Sequence, residues 1–173
     1  MTFIPDDMDK KEATVPWFED AKAELGIKGH STSKSLDELQ MEIKSAMSRL
    51  GGGVTSFVTG KFNTLPPRIG YEIRFNYGSR EGKIEIAALP LKKYTTAKEM
   101  QSKKQALYTV REMLEAEFNS GMLVPGSAPL IPFLLDDQGH TLAEAMHLQA
   151  GIPLLSAPIK GVSEIIDGEV IDG

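Results

Sequence analysis

One group of acidic and histidine side chains in this 173-residue chain has the residue types of a metal site. Its members are Asp136, Asp137, His140, Glu144 and His147. On a helix over 141–149, the last three would share one face, and histidine with carboxylate can ligate zinc, iron or manganese. Helical di-iron sites, however, take a Glu-x-x-His segment from each of two helices, and this chain has no second copy. Because acidic side chains near a helix start are favourable without a metal, we predict neither a metal site nor a cofactor.

A glycine-containing stretch, Gly53–Lys61, has the composition of a phosphate-binding loop. Six residues separate Gly53 from Gly60, whereas the phosphate-binding motif requires four. Phe62 stands where that motif needs a serine or threonine for magnesium. We therefore interpret the stretch as the glycine end of a helix followed by a strand.

Nucleophilic catalysis has few candidate residues in this chain. There is no cysteine, which excludes disulfides, thiolate metal ligands and cysteine nucleophiles. There is no Gly-x-Ser-x-Gly turn, and His30 lies in a serine-rich linker without an identifiable partner. These observations favour a small binding protein without catalysis. An enzyme whose site is assembled from scattered residues stays open as an alternative, because spatial proximity is invisible in a sequence.

Basic side chains are concentrated in the middle of the chain. Residues 61–111 contain eleven basic and four acidic residues, a net charge of +7, although the whole chain carries −5. Residues 120–173 contain one basic and seven acidic residues. A basic unit beside an acidic tail is typical of nucleic-acid-binding proteins, whose positive face contacts phosphates. We therefore predict that DNA or RNA binds to 61–111 through these residues: Arg74, Lys92, Lys93, Lys103, Lys104 and Arg111.

The aromatic residues Tyr71, Phe75 and Tyr77 alternate with polar residues, as is typical of a half-buried strand. Two roles are open for this row: it can stack on bases, as in RNA-binding proteins that use a sheet surface, or it can face the core. We favour the core, because alternation marks only which face of a strand is apolar. In the same way, Arg74 is a candidate for a cross-strand pair with Glu85 instead of a phosphate contact.

Hydrophobic periodicity predicts an α+β fold, in which a three-stranded antiparallel sheet has two main helices packed on one face. The element order is α-β-β-β-α, with a further short helix before it and an apolar extension after it. Helices are expected at 15–25, 36–50, 97–119 and 141–149, and strands at 54–59, 71–77 and 83–89. Three capping boxes mark helix starts: Ser35 with Glu38, Thr96 with Glu99, and Thr141 with Glu144. The predicted core contains Leu39, Ile43, Leu50, Leu107, Val110 and Leu114.

The element order over 35–119, together with the run Ser102–Ala106 in its last helix, resembles a double-stranded-RNA-binding domain. That family opens its last helix with a Lys-Lys-x-Ala run facing phosphates, so the resemblance implies phosphate contacts for Lys103 and Lys104. The resemblance covers about half the chain. Two features differ from the family: the run lies about one turn inside the predicted helix, and a Pro-rich loop separates the first two strands.

The chain is predicted to form one domain, 35–150, between an N-terminal arm with a short helix, 1–34, and an acidic tail, 151–173. Residues 121–135 are apolar and contain three prolines, which favours an extended segment over the core. That segment and the tail are candidate contact surfaces, so a protein–protein interaction or oligomerisation module, including a homo-oligomer, is the second hypothesis. We expect a cytoplasmic protein without membrane contact, because no apolar run could span a bilayer and the N-terminus lacks signal-peptide features.

The end of the tail, residues 161–173, contains four acidic residues and no basic one. We expect this segment to be mobile or to order only on a partner. Deleting it is therefore predicted to leave the melting temperature nearly unchanged in a thermal denaturation. A large drop would show instead that its apolar residues belong to the core, namely Ile165, Ile166, Val170 and Ile171.

Overall fold

A computed structural model of the protein describes residues 14–21 and 27–151. It has the predicted α+β architecture, with one antiparallel sheet in the strand order β1-β2-β3. The main elements are α1 (Leu36–Arg49), β1 (Gly52–Phe62), β2 (Arg68–Tyr77), β3 (Arg80–Ala87), α2 (Thr96–Leu123) and α3 (Leu142–Ala150). Among the described helices, none is long and apolar enough to cross a lipid bilayer.

The central strand β2 decides which face of the sheet is buried. Tyr71, Ile73 and Phe75 are buried, whereas Arg74 and Asn76 between them are exposed. Successive side chains of a strand point to opposite faces, so the aromatic row packs in the core. The prediction that these aromatics face the core is confirmed, and the rings of Tyr71 and Phe75 are therefore not accessible for stacking on bases.

Both main helices pack on the aromatic face of the sheet and form one core with it. Leu39 and Ile43 from α1 lie in the same buried cluster as Leu107, Val110 and Leu114 from α2. Leu50 is half-buried at the edge of this cluster. The helix phases predicted from the hydrophobic stripes are therefore confirmed.

Two of the three predicted capping boxes are present, and the third differs. Ser35 and Thr141 each cap their helix reciprocally with the glutamate three residues later. At α2 the cap is Thr95, whose side chain accepts from the backbone N–H of Lys98. Thr96 is already helical, because either of two adjacent threonines can cap a helix and the first one does so here. Glu99 is consequently free for other contacts.

Segment boundaries at the N-terminal side depart from the prediction. Within 15–21, the described part of the helix predicted at 15–25, the structure has a 3-10 turn, Phe18–Asp20, and the remainder of that range lies outside the described residues. The backbone N–H of Phe18 donates to the Pro90 carbonyl at 2.8 Å, and the Phe18 ring is buried. These contacts with the β3–α2 connection stabilise the 3-10 turn. Because they join segments far apart in the sequence, the local helical pattern does not predict them.

The ends of several strands and helices in the main domain also differ from the predicted ones. The strand β1 is longer than the predicted 54–59, and the β2–β3 hairpin closes through a two-residue turn, Gly78–Ser79, with Gly78 at φ 59°. The helix α2 continues through Gly121 to Leu123, beyond the predicted end at residue 119. Glycine inside a helix costs only about 1 kcal/mol relative to alanine, which does not end a helix whose hydrogen bonds continue.

The apolar extension after α2 lies along the edge of β3 instead of forming a full strand. Leu134 is buried and forms an isolated bridge with Gly82, and the N–H of Leu135 donates to the Glu81 carbonyl at 2.9 Å. Leu130 is buried in the core cluster. The expectations for the N-terminal arm before residue 14 and for the acidic tail after residue 151 lie outside the described residues.

Candidate anion-binding cleft

A cleft of about 520 Å³ lies at one end of the sheet. One wall is formed where β1 ends and β2 begins, with Lys61, Pro66 and Arg68, and the other by the connection from β3 to α2. Tyr94 and Glu99 belong to this second wall, around the start of α2. The β2–β3 turn is at the opposite end of the sheet, because it joins the other ends of these strands.

Arg68 is the most unusual side chain of the cleft. Its Nε donates to the Ala88 carbonyl and its Nη2 to the Ala87 carbonyl, both at 2.7 Å. Within residues 14–21 and 27–151 it has no carboxylate partner, and burial lowers its pKa below the ordinary value. Arginine nevertheless stays charged in proteins, so a partly buried cation faces the cleft with no described carboxylate within 4.0 Å of it.

Tyr94 and Glu99 form a hydrogen-bonded pair on the opposite wall. The hydroxyl of Tyr94 donates to Glu99, whose Oε1 also lies 2.8 Å from Lys103 Nζ. Hydrogen bonds from Lys103 and then Tyr94 lower the pKa of Glu99, and the bond to Glu99 raises the pKa of Tyr94. Both pKa values therefore move away from neutrality, so at pH 7 Glu99 is a carboxylate and Tyr94 keeps its hydroxyl proton.

Three of the six predicted nucleic-acid contacts lie near this cleft. Lys103 reaches it through the ion pair with Glu99. Lys92 and Lys93 stand in the connection beside Tyr94, and the Lys92 ammonium pairs with Asp20 at 2.8 Å. The Lys93 side chain is exposed and forms no ion pair among the described residues.

The other three predicted contacts lie elsewhere, so the six do not form one patch. Arg74 is on the sheet face away from the helices and pairs with Glu72 at 2.6 Å, not with Glu85 across the hairpin. Arg111 lies between the helices, where it pairs with Glu42 at 3.3 Å and sits over the Tyr108 ring. Lys104 faces the start of α1, where the bonds from Ser35 are the main cause that lowers the pKa of Glu38 and the charge of Lys104 adds to them.

The basic side chains differ in whether a carboxylate already neutralises them or whether they are available to bind an anion. Most lysines and arginines of the described chain lie within 4.0 Å of a carboxylate. Those without such a partner in that part of the chain are Lys28, Lys44, Lys61, Arg68, Arg80, Lys93 and Lys104. Lys61 and Arg68 line the cleft and Lys93 adjoins it. Lys61 and Arg68 were not among the predicted contacts, and nothing in their sequence context distinguishes them from other basic residues.

Asp136 and Glu144, two of the candidate metal ligands, have local structural roles. Asp136 Oδ1 accepts from the backbone N–H groups of Gln138 and His140, at 2.8 and 2.9 Å. Glu144 completes the capping box at the start of α3. Over the residues that the structure describes, no group of three or more histidine, cysteine, aspartate or glutamate side chains is arranged to hold a metal ion.

No protein-family model matches this chain, and comparison with curated proteins and with solved structures found no significant match. The resemblance to double-stranded-RNA-binding domains therefore rests on the element order and on the Lys103–Ala106 run alone. In the structure, Lys103 and Lys104 lie inside α2, beyond its first turn, and Lys103 is already paired.

Proposed function

We propose that this protein binds nucleic acid without catalysis, and that a single-stranded segment is held in the cleft around Arg68. The main support for this proposal is Arg68, which is fixed by two backbone carbonyls and has no carboxylate partner in the described chain. A phosphate group supplies the missing charge. The proposed site is thus a cleft at the end of the sheet, which is smaller than the basic surface predicted from the sequence over 61–111.

The geometry of Arg68 supports a phosphate contact. Two of its donor nitrogens are used for the Ala87 and Ala88 carbonyls, and no hydrogen bond from Nη1 is formed in the part of the chain described. The planar guanidinium is thus already oriented, so less rotamer entropy is lost when a phosphate oxygen binds. Lys61 on the same wall provides a second positive charge. No described carboxylate lies within 4.0 Å of its ammonium, although after Lys103 and Tyr94 its charge also helps to lower the pKa of Glu99.

The exposed ring of Tyr94 supports a contact with an unstacked base. Its side chain is 66% exposed, although tyrosine is an amphipathic residue that usually buries its ring. The bond from its hydroxyl to Glu99 orients the ring at the cleft, and Lys93 lies next to it. Stacking of a base on an aromatic side chain contributes about 1–3 kcal/mol and tolerates any base, which favours single-stranded ligands.

Two exposed residues test the proposal without disturbing the core. Fluorescence anisotropy of a labelled single-stranded oligonucleotide is measured at about 50 and 200 mM salt. We expect Lys61→Ala to weaken binding and to reduce the salt slope by about 1, because one phosphate contact is lost. Tyr94→Ala is expected to weaken binding by about 1–3 kcal/mol, whereas Tyr94→Phe, which keeps the ring, should retain most of the affinity.

Arg80→Ala is the matched control for this titration. Arg80 is exposed, unpaired within the described residues, and located at the other end of the sheet, next to the β2–β3 turn. If only the net charge mattered, Arg80→Ala would weaken oligonucleotide binding as much as Lys61→Ala does, and that result would contradict the proposal. Failure of the unmodified protein to bind at about 50 mM salt, where phosphate contacts are strongest, would also contradict it.

A second candidate function is association with another protein chain. The end of α2 and the segment after it expose several apolar side chains, namely Met122, Leu123, Val124 and Ile131. Leu123 is 83% exposed, and clustered apolar exposure marks interaction surfaces. A mass that rises with concentration in analytical ultracentrifugation, and returns to that of the monomer in Leu123→Glu, would favour this function.

A further inference from the structure

The carboxylate of Glu19 occupies a site built from three donors. The backbone N–H of Lys92 donates to Glu19 Oε2 at 3.0 Å, and the N–H of Lys93 donates to Oε1 at 3.2 Å. The ammonium of Lys98 donates to the same Oε1 at 3.0 Å. Two consecutive backbone amides and one lysine therefore converge on the two oxygens of a single anion.

This donor set strongly favours a negative charge. Partial burial tends to raise the pKa of Glu19, but it is outweighed by the bonds from the Lys92 amide, Lys98, the backbone N–H of Glu19 itself and the Lys93 amide, which hold the pKa at about 2. Consecutive backbone N–H groups combined with a lysine are the means by which proteins bind phosphate and similar oxyanions. Only about a fifth of the Glu19 side chain is exposed.

We propose that the Lys92 and Lys93 amides and the Lys98 ammonium form a binding site for a phosphate-type oxyanion, which the chain's own Glu19 occupies as an internal competitor. A phosphate oxygen pair can replace the carboxylate oxygen pair on the same donors. This site is separate from the Arg68 contact and goes beyond the proposed function, since inorganic phosphate is sufficient to occupy it.

The surrounding contacts allow Glu19 to leave while its segment stays in place. Phe18 is anchored by its hydrogen bond to Pro90 and by stacking on His30, with ring centroids 4.5 Å apart. Asp20 holds the Lys92 ammonium independently at 2.8 Å. Rotation of the Glu19 side chain therefore opens the three donors without unfolding the turn.

Inorganic phosphate is the probe, and the backbone amide resonances of Lys92 and Lys93 are the readout. We expect Glu19→Ala to bind phosphate at least about tenfold more tightly than the unmodified protein, because the competing carboxylate is gone. When a competitor leaves a site free only about a tenth of the time, the affinity of that site for its ligand falls about tenfold. Asp20→Ala is the matched control: it removes a neighbouring acid whose carboxylate, among the described residues, pairs with the Lys92 side chain and not with the backbone N–H groups of the site. Adding Lys98→Ala to Glu19→Ala should abolish the gain.

Several outcomes would overturn this proposal. One is a titration in which phosphate shifts neither amide resonance in Glu19→Ala. Another is an equal gain of phosphate affinity in Asp20→Ala and Glu19→Ala, which would indicate a general charge effect. Glu19→Gln keeps the shape and the hydrogen-bonding oxygen without the charge, and it serves if Glu19→Ala does not fold. An oligonucleotide titration of the same variants separates free phosphate from nucleic-acid phosphate. If Glu19→Ala binds phosphate but not the oligonucleotide, the result supports this site and contradicts the proposed function. If it binds the oligonucleotide but not phosphate, the result contradicts this site and supports the proposed function.

Discussion

Replacing Leu107 by alanine is expected to lower the free energy of unfolding by about 2–5 kcal/mol, as truncations of buried leucines do. Leu107 is fully buried and belongs to the cluster that joins α2 to α1 and to β2. The truncation removes apolar contacts and leaves a cavity that close-packed neighbours fill only in part. Equilibrium unfolding in urea measures the loss.

Leu123→Ala is the matched control for this substitution. Leu123 lies at the end of the same helix and is 83% exposed, so the same truncation there should change the free energy of unfolding by less than about 0.5 kcal/mol. Equal effects of the two substitutions would contradict the assigned helix phase.

Replacing Gly70 by alanine is expected to destabilise the sheet by about 1–3 kcal/mol or more, because the added methyl has no space. Gly70 lies in β2 opposite Ala87 of β3. A Cβ there would meet the Ile86 carbonyl oxygen and would lie 2.6 Å from the ring of Phe62. Since backbone must move to relieve this overlap, we also expect the Arg68 anchor on the Ala87 and Ala88 carbonyls to loosen, which would weaken oligonucleotide binding.

Gly60→Ala provides the control at the paired position. Gly60 is the cross-strand partner of Gly70 in β1, and a Cβ at Gly60 meets no atom within 4 Å. We expect its thermal denaturation to match that of the unmodified protein, whereas Gly70→Ala melts at a lower temperature. If both alanines were tolerated equally, the close approach of β2 and β3 at Gly70 would be wrong.

Local patterns were sufficient for the fold class and for the core. The alternation from Tyr71 to Tyr77 predicted the buried face of β2, because strand geometry directs successive side chains to opposite faces whatever their neighbours are. The caps at Ser35 and Thr141 were predictable for a similar reason, since each bond spans only three residues. Thr95 and Thr96 show the limit of this reasoning: both are competent caps, and the path of the preceding connection decides between them.

The candidate site depends on contacts that a local pattern does not contain. The basic unit over 61–111 was visible in the sequence, but its charges are not equally available. Lys98 is paired with Glu19, 79 residues away, and Lys92 with Asp20, 72 residues away. A sequence lists charges without saying which of them are neutralised, because electrostatic pairing depends on distances of a few ångströms between remote segments.

The sequence by itself determined the α+β fold, the buried stripes of α1, β2 and α2, and the concentration of positive charge in the middle of the chain. The tertiary structure alone decided that Arg68 is anchored on two carbonyls of β3 and its exit, and that Glu19 occupies the Lys92–Lys98 donors. The physical reason is the range of the interactions. Periodicity and caps act within a few residues, whereas the counter-ion of a cation is whatever the folded chain brings within hydrogen-bond distance.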